Sequence, residues 1–165
     1  MRGAHQAANA ALAIAMLRHQ DIVAVSNRSI ERGLKLAAWP ARLQRLSSGP
    51  LAVRREVWLD GGHNADAGSM LASHFAGRQL HLIIGMLASK NPAALIEPMR
   101  DSLASVTAVP VPTHEHHGPE AFGGASAADV PQALAMLPND GLPVLIAGSL
   151  YLAGEVLRLN GELLS

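Results

Sequence analysis

The chain is 165 residues long and 49% apolar, with 16% charged residues, thirteen basic side chains balancing thirteen acidic ones. That length buries roughly 70% of its unfolded surface, enough for one core without staples. A balanced charge and only two tryptophans, two phenylalanines and one tyrosine argue against a nucleic-acid partner, which needs a basic face or stacking platforms. The absence of cysteine excludes disulfides and thiolate metal sites.

In chain order, residues 4–19 read as a helix rich in alanine and leucine. Ala8, Leu12 and Met16 form one stripe, widened by Ile14 and Leu17, and this helix expects cover on most sides. Arg2 ahead of the apolar run 7–17 has the look of a secretory leader. His5, Gln6 and Asn9 interrupt that run, however, and Ala24-Val25-Ser26 makes a poor cleavage site, so a buried helix and a cytoplasmic location are expected instead. No apolar stretch reaches the ~20 residues a membrane span requires. A second helix is expected from Ser29 to Ala38, ended by Trp39-Pro40, because proline disfavours helix at the preceding residue.

From Arg42 the pattern changes. Residues 42–46 alternate like a half-buried strand, and Ser47-Ser48-Gly49-Pro50 is a turn. Glu56-Val57-Trp58-Leu59 is a strand ending at Asp60, Gly61-Gly62 breaks it, and Asn64 caps a helix over 65–76 stopped by Gly77. The continuous apolar run 80–85 suits a strand covered on both faces. Asn91-Pro92 opens the next helix, and 105–109 is another strand. A loop over 113–124 holds three histidines. Ser126 and Asp129 resemble a capping box for a helix carrying Val130, Ala133, Leu134 and Leu137. Strand 144–147, the Gly148-Ser149 turn and helix 150–159 complete the chain. Strands alternating with helices of this length predict an α/β fold, a mostly parallel sheet with helices on both faces.

In such a sheet, polar residues beyond the strands' carboxyl ends share a crevice. Three strand ends contribute: Asp60 to Asn64, then Gly85 with Ser89-Lys90-Asn91, then Gly148-Ser149. A carboxylate there can accept from ribose hydroxyls, and the helix starts after Asn64 and Ser149 offer N–H groups to an anion. The plainer reading makes Asn64 and Ser149 helix caps and Lys90 a surface lysine. His63, on a loop beside two glycines, has little packing role. Neither G-x-G-x-x-G nor G-x-x-x-x-G-K-[ST] follows a strand, so no glycine-rich phosphate cradle is present. His114, Glu115, His116 and His117 lack the spacing of a metal site and read as an exposed loop. G-x-S-x-G is absent too, so no nucleophile elbow is expected.

The segments GAHQAANAALAIAML (3–17), WPARLQRL (39–46), WLDGGHNADA (58–67), IIGMLASKNP (83–92) and AGSLYLAGEVLRL (147–159) resemble, in this order, the C-terminal part of the folylpolyglutamate synthase/dihydrofolate synthase family of the Mur ligase superfamily. The most specific pieces are DGGHN, similar to the family's Asp-Gly-Ala-His-Asn, and GSLYLAGEV. The resemblance implies a Rossmann-like C-terminal domain over 39–165, preceded in 1–38 by the last helices of a central ATPase domain absent from this chain. It implies an ATP- and Mg2+-dependent ligase that joins L-glutamate to folate or dihydropteroate through an acyl phosphate, with domain closure excluding water. Arg42, Asp60 and His63 would contact ATP, and His63, Asn64 and Ser149 would face glutamate. Lys90 is a further anion contact to consider. The magnesium ligands would lie upstream. Ala41 stands where the family usually has glycine, Gly62 replaces alanine, and Ser89-Lys90-Asn91 replaces Asp-Lys-Asp. With no phosphate loop, this chain by itself is expected not to turn over. Other readings are a stand-alone nucleotide-binding or interaction module, a related ligase with a different acceptor, and a metal-dependent hydrolase using the histidine loop.

Overall fold

The computed structural model describes residues 4–37, 39–47 and 49–162, with side chains from residue 7 onward. Arg2, the expected helix end at Ala38, the turn residue Ser48 and the side chains of His5 and Gln6 lie outside the described residues. The chain divides into two units, residues 1–40 and 41–165.

The first unit holds α1 (Ala4–Arg18) and α2 (Asn27–Leu36). Ser26 caps α2 by accepting from Ser29 N at 3.1 Å, and Gln20 ties the connecting loop to Leu17 O, Ile22 N and Val23 N and O. The cover expected for α1 is not there: Leu12 and Met16 are 63% and 66% exposed. A 10-residue partner such as α2, which buries no side chain, is too short to enclose a helix that is apolar on most sides.

The second unit is the expected α/β domain. Its six strands are β1 (Gln44–Arg45), β2 (Val57–Asp60), β3 (Leu80–Ile84), β4 (Leu103–Ala108), β5 (Ala125–Ser126) and β6 (Val144–Ala147), in the sheet order β1-β2-β6-β3-β4-β5. All neighbours are parallel except the β1–β2 pair. The helices are α3 (Ala65–His74), α4 (Pro92–Met99), α5 (Val130–Met136) and α6 (Leu150–Leu159).

The period-2 alternation of each strand divides the core. Val57, Leu59, Ile83, Val144 and Ile146 pack with Val130 and Ala133 of α5 and Leu152 and Val156 of α6. Trp58, Leu80, Leu82, Ile84 and Leu145 pack with Leu71 of α3 and with Leu95 and Met99 of α4. Both faces are covered, which is why β2, β3 and β6 are apolar at nearly every position.

Two expected elements change. The strand over 42–46 shrinks to Gln44–Arg45 because Ala41 and Leu43 take positive φ, 57° and 44°, and bend the backbone out of strand geometry. The helix expected from the Ser126–Asp129 capping box begins three residues later. Asp129 is itself the cap, accepting from Gln132 N at 2.7 Å, while Gln132 Oε1 reaches back to Ala128 N. That leaves Ser126 to pair with Ala108 as β5.

Candidate functional site

Register puts three strand ends level. Asp60 pairs with Ala147, and Ala147 with Ile84, so the turns after β2, β6 and β3 leave the sheet side by side at its carboxyl edge. Glycine leaves room at the bends. A Cβ at Gly61 would lie 2.2 Å from Leu150 Cδ2, one at Gly62 2.4 Å from Ala67 Cβ, and Gly148 has φ +110° with its would-be Cβ 2.7 Å from Gly85 O. These contacts let α3 and α6 begin right at the edge.

The turn before β1 joins this edge. Gly61 N donates to Ala41 O at 2.8 Å, and Leu43 N donates to Asp60 Oδ2 at 2.8 Å. Arg42 therefore stands, exposed, beside the end of β2. His63 is half-buried with Nδ1 3.2 Å from Gly61 O. A carbonyl only accepts, so Nδ1 is the donor in this bond.

Asp60 departs from its expected place in an open groove. It is completely buried, with Oδ1 accepting from Gly62 N at 2.7 Å and Oδ2 from Leu43 N. A carboxylate at a strand's last residue sits under the turn that follows, where it satisfies backbone donors. Ser149 is also buried, and its Oγ accepts from Tyr151 N at 3.1 Å to cap α6. Asn64 is exposed and caps α3, accepting from Ala67 N at 2.9 Å. Asn91 caps α4 in the same way. Lys90 is half-buried, and its carbonyl accepts from His117 Nε2.

The histidine loop serves structure. His114 Nδ1 lies 2.8 Å from Pro112 O, His116 Nδ1 2.8 Å from His114 O, and His117 Nε2 2.6 Å from Lys90 O. Backbone bonds from His117 N to Met86 O and from Ala88 N to Glu115 O fasten the loop over the end of β3. Among the described residues, no group of three or more histidines or carboxylates could hold a metal ion.

Two features escaped the sequence reading. His114 stacks on Tyr151 at the start of α6, with ring centroids 3.6 Å apart. At the opposite edge, buried His81 lies between Ser105 Oγ (2.7 Å from Nδ1) and Asp140 Oδ2 (3.0 Å from Nε2). Asp140 is held below the usual carboxylate range, first by the backbone N–H of Leu142 and, against its burial, by His81. A lone histidine inside the apolar strand 80–84 is the only sequence trace of this trio, since its partners are 24 and 59 residues away.

No protein-family profile matches the chain. It is 33% identical over 167 residues to folylpolyglutamate synthase from Lacticaseibacillus casei, a match covering 93% of this chain and 38% of the relative. The chain thus spans less than two-fifths of that protein. Among solved structures, Mycobacterium tuberculosis folylpolyglutamate synthase complexed with ADP superposes with a TM-score of 0.78 at 23% identity, over 98% of this chain and 41% of that one. A bifunctional folylpolyglutamate synthase/dihydrofolate synthase with manganese, AMPPNP and L-glutamate bound gives 0.73 at 24% identity, over 92% and 39%. No helix among the described residues is long and apolar enough to cross a membrane. In sequence and in fold, the chain matches the C-terminal part of the folylpolyglutamate synthase/dihydrofolate synthase family.

Proposed function

We propose that residues 39–165 form the nucleotide- and glutamate-facing domain of an ATP-dependent ligase that adds L-glutamate to folate or dihydropteroate, and that residues 1–38 are the last helices of its ATPase domain. The observation that carries this reading is the hydrogen-bonded seat of the Arg42 turn on the Asp60-Gly61 end of β2, on the same sheet edge as His63 and the starts of α3 and α6. A relative of this fold binds AMPPNP and L-glutamate together.

In this reading Arg42 holds phosphate oxygens with a permanently charged, planar group whose charge does not change as phosphate is transferred. His63, through Nε2, lies between the nucleotide and the incoming amine. Asn64 serves as the cap of α3 and, being exposed, presents its amide to glutamate. Ser149 acts from beneath, keeping the first N–H groups of α6 in line, and Lys90 contributes at most its charge at the rim. Magnesium would accompany the nucleotide, bridging its phosphates. The residues that hold it belong to the ATPase domain, as does the phosphate loop.

The test is a nuclear magnetic resonance titration of the chain with ATP and with L-glutamate. Amides of residues 41–43, 61–65 and 148–151 should shift, and an assay for ATP-dependent ligation by the chain alone should read zero. Shifts confined to other surfaces would overturn the site, and turnover by the isolated chain would overturn the division of labour.

A further inference from the structure

Arg42 sits in a backbone conformation that its own neighbours resist. Ala41 and Leu43, either side of it, both take positive φ, where a Cβ crowds the following carbonyl oxygen. Such strain persists only where the surroundings over-determine it, and it concentrates at functional sites. Here the surroundings are visible. Ala41 is buried in the core layer of α5 and α6, and Leu43 in the layer of α3 and α4. The turn therefore straddles the sheet, one side chain anchored on each face and Arg42 left pointing outward between them.

Three hydrogen bonds fix its backbone. Ala41 O accepts from Gly61 N, Leu43 N donates to Asp60 Oδ2, and Ala41 N donates to Gln44 Oε1 at 2.9 Å. Gln44 is itself oriented from the far end of the chain, its Nε2 donating to Glu162 Oε2 at 2.8 Å. Glu162 Oε1 accepts from Ser47 N, Ser47 Oγ and Asn160 Nδ2 at 2.7–2.9 Å. An ionised carboxylate can only accept, so Glu162 forces the Gln44 amide to turn its oxygen toward Ala41.

We propose that Asp60 and the Gln44–Glu162 pair are positioning residues for Arg42: they lock the strained 41–43 turn so that the guanidinium is already aimed when a triphosphate arrives. The inference rests on the reading of Arg42 as a phosphate contact. Preorganisation of this kind is felt in affinity, because the ligand no longer bears the cost of ordering the turn.

The experiment is a double-mutant cycle on the chain, with ATP affinity measured by titration calorimetry and stability by urea unfolding. Arg42→Ala should weaken ATP binding by about tenfold or more, as expected for loss of a charge-assisted pair. Gln44→Leu, Glu162→Gln and Asp60→Asn should each weaken it about three- to tenfold. Combined with Arg42→Ala, each should weaken it no further, while its effect on stability remains. Full additivity in affinity, or normal affinity in Gln44→Leu and Glu162→Gln with Arg42→Ala impaired, overturns the positioning role. No ATP binding by the unmodified chain at millimolar nucleotide, or no effect of Arg42→Ala, overturns the underlying phosphate reading instead. Should Asp60→Asn fail to fold, the half-exposed Gln44 and Glu162 carry the test.

Discussion

Two backbone N–H groups, those of Leu43 and Gly62, end on one buried carboxylate, and this decides what substitutions near the site do. Asp60→Ala orphans both donors inside the protein, at about 1–3 kcal/mol each. Its urea midpoint should fall well below that of the unmodified chain, with any loss of ATP binding arriving alongside. Ala41→Gly is expected to behave differently. Relief of the positive φ gains about 1–2 kcal/mol, while the lost methyl burial and the freer unfolded chain each cost something under about 1 kcal/mol. Stability should therefore change by less than about 1 kcal/mol in urea unfolding. Ala41→Val, a β-branched residue at φ 57° in a filled core, should lose several times that.

At the scale of elements, two helical glycines make opposite predictions. Gly68 in α3 faces α4, and a Cβ there would lie 2.5 Å from Ala94 O and 3.2 Å from both Leu95 Cα and Pro98 Cγ. Gly68→Ala should destabilise in spite of a helix-propensity gain of about 1 kcal/mol, because the obstacle is backbone that cannot swing aside. Gly154 in α6 is exposed and has nothing within 4 Å of a built Cβ. Gly154→Ala should stabilise by about 0.5–1 kcal/mol. Thermal melts of the two variants side by side would check both signs, and equal shifts would mean that α3 and α4 leave room between them for a methyl group at position 68.

Across the whole domain, two carboxylates hold distant parts of the chain together. Glu162 is raised by burial but lowered more by its bonds from Ser47, Asn160 and Gln44, so its folded pKa lies below the ordinary value. Asp140 is lowered likewise, first by the Leu142 N–H. A depressed folded pKa stabilises above the unfolded value, near about 4 for Asp and Glu, and that stability disappears as pH falls through the folded pKa. The melting temperature should be flat through neutral pH and drop below about pH 4. Glu162→Gln should lower it more at pH 7 than at pH 3. A constant difference between the two proteins at both pH values would mean that Glu162 is not ionised in the fold.

The sequence by itself determined the local grammar. Alternating apolar runs and capped helices specify an α/β domain, Asn64, Asn91 and Ser149 mark helix starts, and the glycines of 61–62 and 148 mark the bends, because each of these depends on residues within a few positions of one another. Tertiary structure decided the rest. The insertion of β6 between β2 and β3, the trio of His81, Ser105 and Asp140, and the clasp of Glu162 on residues more than a hundred positions earlier have no local signature. Asp60 shows the limit most plainly. Its place at the end of a strand was legible, but whether its oxygens face a ligand or a backbone turn depends on where residues 41–43 fold back, and that is fixed by packing on both faces of the sheet.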